Sequence, residues 1–295
     1  MQCLINELLS KHTYYRIGGA AKFLYIPESI DDLIELKKIT IDSNLPYFFI
    51  GAGSNLLVSD TGFNGIVIKT TRLNLNINLS DHHTVETGAS VHVSTLLRKA
   101  SQNGWGGLEW FSGIPGTIGG VVYMNAGTHL GEAKDNLKSV DIFDFDPSIH
   151  PDHSLKTLTK NDLLYEYRKN CFLKNSHIVF SAVWSYEPQD PTLVKQKIDE
   201  TLKRRKESQP LDYPSCGSVF KNPKESGFRA WEVIDKIGLR GHQIGGAQIS
   251  EKHPNFILNL GNAKASDVRQ LIDLVKKTAL ERLGVQMIEE VKYLE

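Results

Sequence analysis

Three stretches of this 295-residue chain hold residue types that can do chemistry. The densest is residues 104–127, GWGGLEWFSGIPGTIGGVVYMNAG, with eight of the chain's 24 glycines and one charged side chain, Glu109. Glycine loses more backbone entropy on folding than any other residue, so this density implies positive φ angles or a close approach to something. A row of backbone N–H groups in such turns binds an anion such as a pyrophosphate. The second stretch is residues 45–60, LPYFFIGAGSNLLVSD, where an apolar strand runs into Gly51-Ala52-Gly53-Ser54-Asn55, again without a cation. Two cation-free glycine loops point to one ligand gripped from two sides; the competing reading is a pair of tight turns between buried strands. The third is residues 215–223, SCGSVFKNP, where Ser218 lies close to the donors Lys221 and Asn222.

None of these fits a common nucleotide or nucleophile signature. A GxGxxG fingerprint starting at Gly51 needs glycine where Leu56 stands, and no glycine in either loop precedes the lysine of a Walker motif. A GxSxG elbow at Ser218 needs glycines at 216 and 220, where Cys216 and Phe220 stand, which disfavours a nucleophile and leaves a proton donor open.

The formal charge is zero, from 34 basic and 34 acidic residues, so nothing favours nucleic acid or an anionic membrane and a small molecule is the default ligand. Cys3, Cys171 and Cys216 are too few and scattered for a disulfide framework, and neither they nor the histidines are spaced for a metal, so none is expected. The amino-terminal MQCLINELLSKHTYY lacks a signal-peptide core, and no apolar run reaches the ~18 residues that span a bilayer. The expectation is a cytoplasmic protein of two or three domains.

Several elements must position these stretches. Ser29 and Asp32 cap a helix with Ile30, Leu33 and Ile34 on one face, which leads to the strand at 45–50. A strand covers 65–69, another begins in HHTVETGAS, and the helix in SVHVSTLLRKASQNG ends at Gly104. KSVDIFDFD, LLYEYR and HIVFSAVWSYEP read as strands, with DHSLKTLTKND as a loop between the first two. Asp190-Pro191 opens a helix with Val194, Ile198 and Leu202 on one face. KESQPLDYPSCG marks a domain junction. Beyond it lie helices at 229–237 and 266–283, stopped by Gly238 and Gly284, a turn at Gly245-Gly246, and a closing strand.

Together these segments resemble the UDP-N-acetylenolpyruvoylglucosamine reductases, flavoenzymes that complete UDP-N-acetylmuramic acid for peptidoglycan. The resemblance lies in TYYRIGG, GAGSNLLVSD, SGIPGTIGGVVYMNAG, YEYR, PSCGSVFKNP, GLRGHQIGGAQISEKHPNFILN and EEV, in the family's order and over nearly the whole chain. It implies an α+β protein: a two-subdomain FAD-binding fold of the flavin-linked oxidase (PCMH) type, at 1–72 and 73–205, followed by a C-terminal α+β substrate-binding domain at 206–285. The closing strand, 286–295, is left free to return to the second subdomain, and the chain is similar to the family's shorter class. No nucleic-acid or membrane partner is implied, and a monomer is expected.

The resemblance implies non-covalent FAD and NADPH as cofactors, with UDP-N-acetylglucosamine enolpyruvate as substrate. It gives the FAD to Gly51, Ala52, Gly53, Ser54 and Asn55, to Gly113, Ile114, Pro115, Gly116, Thr117, Gly119 and Gly120, and to Asn125 and Gly127. Hydride goes to one alkene carbon and a proton to the other, through a species with enolate character, so Arg168 and Glu290 are expected to flank the substrate carboxylate and Ser218 to deliver the proton. A serine needs cationic help for that, for which Lys221, Lys206 and Arg168 are candidates. Tyr167, Asn222 and Gln248 match sugar-nucleotide positions, and Lys206 is the one residue of the basic run 203–206 expected to reach phosphate.

The chain departs from the family pattern at Asn170, where serine is usual, at Thr128-His129-Leu130, and at Glu289, which could be mistaken for the catalytic acid. Two alternatives stay open: a non-covalent FAD-dependent oxidase of the same fold, since no histidine or cysteine lies at 44–60 for flavin attachment, and a non-catalytic sugar-nucleotide binding protein.

Overall fold

The computed structural model describes residues 1–80, 82–224 and 226–295. Helices are interspersed among runs of strands, and four strands form a sheet in the order Gln2–Leu8, Ala20–Ile26, Phe63–Lys69, Tyr47–Ile50. The chain divides into two compact units: residues 1–4, 24–52 and 66–205 in the first, and 5–23, 53–65 and 206–295 in the second.

In the first unit, Ser29 opens the helix Ile30–Ser43 by accepting a bond from the Asp32 amide, while Asp32 reaches back to the Glu28 amide. Its inward face is Leu33, Leu36, Lys37 and Thr40. Lys37 is 1% exposed, and its ammonium donates to the carbonyls of Asp144 and Ile149 and to the Ser154 hydroxyl, so all three donors are satisfied. Tyr47–Ile50 follows, parallel to the second half of Phe63–Lys69. A five-stranded antiparallel sheet runs in the order Leu155–Thr159, Leu137–Asp144, His177–Ser185, Thr84–Gly88, Ile77–Ser80. Leu155–Thr159 falls where a loop is expected, because four of its five residues are exposed and its sequence shows no alternation of apolar and polar positions.

Two helices of this unit frame the glycine-rich segment. Val93–Asn103 buries Val93, Leu96, Leu97 and Ala100 at helical spacing and ends on Gly104 at φ +69°. Pro191–Ser208 starts where the Asp190 carboxylate accepts a bond from the Thr192 amide. Its buried stripe is Val194, Ile198 and Thr201, with the expected Leu202 41% exposed. Two successive steps of four overshoot a face by about 80° at 100° per residue, whereas steps of four and three stay on it.

The second unit has its own core, with Tyr15, Phe220, Val233, Ile249, Leu271 and Ile272 fully or almost fully buried. Tyr15 donates its hydroxyl to the Ile257 carbonyl, and the Asn259 amide donates to the Tyr15 carbonyl. Gly245-Gly246 joins Gln243–Ile244 to Ala247–Ile249, and Ile257–Asn259 completes an antiparallel three-stranded sheet. Helices Ala230–Lys236 and Ala265–Leu283 end near Gly238 and Gly284, both left-handed. The closing strand, Lys292–Leu294, runs parallel to Leu56–Val58. No helix among the described residues is long and apolar enough to cross a membrane.

Candidate functional site

Within the first unit, the turn after Tyr47–Ile50 closes on the central glycine segment: a side chain on Gly51 would meet the Thr117 hydroxyl at 3.0 Å. Residues 112–120 are fixed from behind. The Val93 amide donates to the Gly116 carbonyl, and the Ile118 and Gly119 amides donate to the carbonyls of Val91 and Ala89. The Ile114 amide donates to Phe111, and Pro115 has no N–H. The amides of the 113–120 run not engaged in these bonds are those of Gly113, Gly116, Thr117 and Gly120. Gly113 and Gly116 sit at φ +76° and +104°, where side chains are strained, and Gly120 faces open space. The segment is thus a bare backbone surface that a ligand can approach closely.

Arg205 escapes the sequence reading. Its side chain lies against Gly113, so that a methyl group there would collide with the arginine stem and Nε. The signal was present, because 194, 198, 201 and 205 continue the buried stripe of Pro191–Ser208 by steps of four, three and four.

Tyr167 and Arg168 form the two-residue turn between the paired segments Tyr165–Glu166 and Lys169–Asn170, which shortens the expected strand to a hairpin. Arg168 takes φ +54°, a conformation that costs an ordinary residue about 1 kcal/mol and recurs at functional sites. Its guanidinium donates to the carbonyls of Asn125 at 3.4 Å and Gly127 at 2.7 Å and lies 5.3 Å from the Tyr167 ring. Asn125 and Gly127, expected at the cofactor, thus meet Arg168 through their carbonyls. The Asn125 side chain is fully buried and bonded to protein: Nδ2 donates to the Glu132 carboxylate and the Glu166 carbonyl, and Oδ1 accepts from the Lys134 amide. Asn170 ties the other end of the hairpin, donating to the Tyr123 carbonyl and accepting from the Leu173 amide.

In the second unit, the Ser218 segment and the EEV segment lie side by side. Glu290 donates its amide to the Val219 carbonyl, Lys221 donates to Ile288, and Phe220 bridges Glu289. Asn55 joins them through Nδ2 to the Glu290 carbonyl at 3.0 Å. Gly53, at φ +70°, has its carbonyl bonded by the Tyr14 amide, and Ser54 is half-buried beside it in the chain. Half-buried Ser218 follows Gly217 at φ +79°. Burial pushes the neighbouring Cys216 thiol up to about 12, so it stays protonated and is a core residue rather than a nucleophile. Asn222 accepts from the Ala230 amide, and Gln248 donates to the Gly241 carbonyl. Lys206 is exposed.

The Glu289 side chain is bonded within the protein. Glu289 is engaged by the Lys276 ammonium at 2.6 Å and the Tyr293 hydroxyl at 2.5 Å, and hydrogen bonds from these two hold its carboxyl below the usual range against an opposing burial effect. Among the described residues, no group of three or more His, Cys, Asp or Glu side chains is arranged to hold a metal ion.

Comparison with known proteins agrees with this architecture. Residues 209–294 match the family model of the UDP-N-acetylenolpyruvoylglucosamine reductase C-terminal domain, and residues 21–150 match that of an FAD binding domain. The chain is 40% identical over 287 residues to the UDP-N-acetylenolpyruvoylglucosamine reductase of Synechococcus sp. (strain WH7803), covering 97% of this chain and 91% of that one. It is 39% identical to the same-named protein of Caldanaerobacter subterraneus subsp. tengcongensis, over 98% and 92%. The crystal structure of the Thermus caldophilus reductase superposes with a TM-score of 0.80 at 32% identity, covering 100% of this chain and 98% of that one.

Proposed function

Because the chain belongs to the UDP-N-acetylenolpyruvoylglucosamine reductase family, we propose that it reduces the enolpyruvyl ether of UDP-N-acetylglucosamine enolpyruvate to the lactyl ether of UDP-N-acetylmuramate, an oxidoreductase step in peptidoglycan precursor synthesis. The observation that carries this is likeness at about 40% identity over 97% of the chain to proteins of that name. When bound, FAD supplies hydride, received from NADPH, to one alkene carbon of the substrate.

The chain's own residues do the rest. The segment from Gly113 to Gly120, left-handed at Gly113 and Gly116, fits a dinucleotide lying against bare backbone, with Gly51 and Ala52 on the facing turn. Arg168 and Glu290 are assigned to the substrate carboxylate. The 2.7 Å bond from the Arg168 guanidinium to the Gly127 carbonyl supports this, because preorganised charge is what a developing enolate needs. Ser218 delivers the proton to the second carbon, a role for which general-acid assistance is typically worth about 10² to 10⁴ in rate. Tyr167, Lys206, Lys221, Asn222 and Gln248 are assigned to the sugar nucleotide. Residues 1–72 and 73–205 are assigned to the cofactor and 206–285 to the substrate, supported by the two family-model matches. The protein works as a cytoplasmic monomer.

Spectra test the proposal. The purified protein is expected to be yellow, to be bleached by NADPH, and to recover its colour on addition of the enolpyruvyl sugar nucleotide. Ser218→Ala is expected to keep bleaching at the wild-type rate and to lose the recovery. A protein that takes up no flavin sinks the proposal, and equal loss of both half-reactions sinks the role of Ser218.

A further inference from the structure

Ser218 is anchored from one side only. Before it stands Gly217, left-handed at φ +79° with open space where a side chain would lie, so the two residues that follow Ser218 set the direction of its hydroxyl. Val219 and Phe220 are 1% and 2% exposed. On one edge the Val219 carbonyl accepts from the Glu290 amide and the Lys221 amide donates to Ile288. The other edge is closed by a single residue, Asn255, itself 5% exposed. Its carbonyl accepts from the Val219 amide at 2.9 Å, its Oδ1 accepts from the Phe220 amide at 3.0 Å, and its Nδ2 donates to the Phe220 carbonyl at 2.9 Å. One carboxamide thus pairs both backbone groups of Phe220, as a neighbouring strand would. Asn255 is delivered by a turn that is fixed in its own right. The Ser250 hydroxyl accepts from the amides of Lys252 and His253, and the Ser250 amide donates to the Phe256 carbonyl. Without the carboxamide, a buried N–H and a buried C=O of Phe220 lose their partners, and the segment must shift or admit water to satisfy them.

We propose that Asn255 is a positioning residue for the reduction step: it locks Val219 and Phe220 and thereby aims the Ser218 hydroxyl at the substrate carbon that takes the proton. The assignment rests on the role given to Ser218 as proton donor. Proton transfer needs donor and acceptor atoms about 2.6–3.2 Å apart, and a misplacement near 1 Å costs on the order of 10²-fold in rate. Flavin reduction by NADPH takes no proton from Ser218, so that half-reaction lies outside the reach of the lock.

The test follows the two half-reactions separately by rapid-mixing absorbance on the flavin-loaded protein, in wild type, in Asn255→Leu, similar in size without polar side-chain atoms, and in Asn255→Asp. Bleaching by NADPH is expected at the wild-type rate in both variants. Recovery of colour on addition of the enolpyruvyl sugar nucleotide is expected to slow on the order of 10²-fold in Asn255→Leu. In Asn255→Asp the new carboxyl, while protonated, accepts from the Phe220 amide and donates to the Phe220 carbonyl; once ionised it can only accept and repels that carbonyl. Burial keeps such a carboxyl protonated to higher pH than usual. Recovery in this variant should therefore approach the wild-type rate at low pH and fall with rising pH through an ionisation absent from the wild-type profile. Either substitution, added to Ser218→Ala, should slow the residual recovery far less than it does with the serine present, because the two residues act as a unit. Wild-type recovery in both variants overturns the proposal, as does slowing of bleaching and recovery by the same factor, which would make Asn255 a support of the fold alone. Should Asn255→Leu not fold, the pH profile of Asn255→Asp decides, and a profile identical to wild type overturns the proposal. A Ser218→Ala protein that recovers its colour at the wild-type rate sinks the role of Ser218; one that does not, beside Asn255 variants that do, sinks this inference alone.

Discussion

Replacing Asn125 by alanine removes a fully buried amide that makes three side-chain hydrogen bonds. The bond to the Glu132 carboxylate, 2.9 Å long, is charge-assisted and contributes about 1.5–3 kcal/mol. The bonds to the Glu166 carbonyl and from the Lys134 amide, at 3.1 and 3.2 Å, are neutral and contribute about 0.5–1.5 kcal/mol each. Asn125 also sits at φ +44°, which costs alanine about 1 kcal/mol more than asparagine or glycine. The sum is on the order of 5 kcal/mol, a large part of the roughly 5–15 kcal/mol by which a folded protein is stable. Urea denaturation measures it, and Asn125→Gly separates the backbone contribution from the hydrogen bonds. Because the Asn125 carbonyl holds Arg168, the surviving folded fraction should retain flavin while its turnover falls. A variant within about 1 kcal/mol of wild type would refute the hydrogen-bond reasoning. One that keeps its stability and loses flavin would make Asn125 a cofactor contact instead.

Other substitutions test single features. Gly113→Ala forces a side chain into φ +76° and into Arg205, so flavin retention on gel filtration should drop; wild-type retention and melting would show that the close approach is not real. Glu290→Gln should abolish substrate reduction with little effect on melting, whereas Glu289→Gln should lower the melting temperature through loss of the Lys276 partner and leave turnover near wild type; the reverse pattern would exchange the two roles. For His177, burial lowers the imidazole pKa more strongly than Asp144, 3.3 Å away, raises it, and Nδ1 already accepts from the Lys174 amide. The unfolded chain takes up this proton near the ordinary value of 6.5 and the folded one only at lower pH, so stability is lost as pH falls below about 6.5. His177→Gln should flatten melting temperature against pH in that range, and an unchanged slope would place the titration elsewhere.

The glycine density of residues 104–127 was legible as a need for unusual backbone, and Gly104, Gly107, Gly113 and Gly116 do take positive φ. Helix ends were equally legible: Ser29, Asp190, Gly104 and Gly284 act through bonds to neighbouring residues, which sequence spacing records. The edge strand Leu155–Thr159 was not legible, since a strand with little buried on either face carries no alternation and is held by its ladder to Leu137–Asp144. Nor were the bonds from Lys276 and Tyr293 to Glu289, which come from residues that spacing alone does not pair with it.

Sequence by itself determined which segments bend, cap or stay free of side chains, because those properties are set by the local backbone. The tertiary structure alone decided which amides of residues 113–120 are engaged by Val91, Ala89 and Phe111, which carbonyls hold Arg168, and which one of four adjacent cations is partly buried. Burial and hydrogen-bond partnership depend on what packs against a residue from elsewhere in the chain, and that is fixed only when the chain has folded.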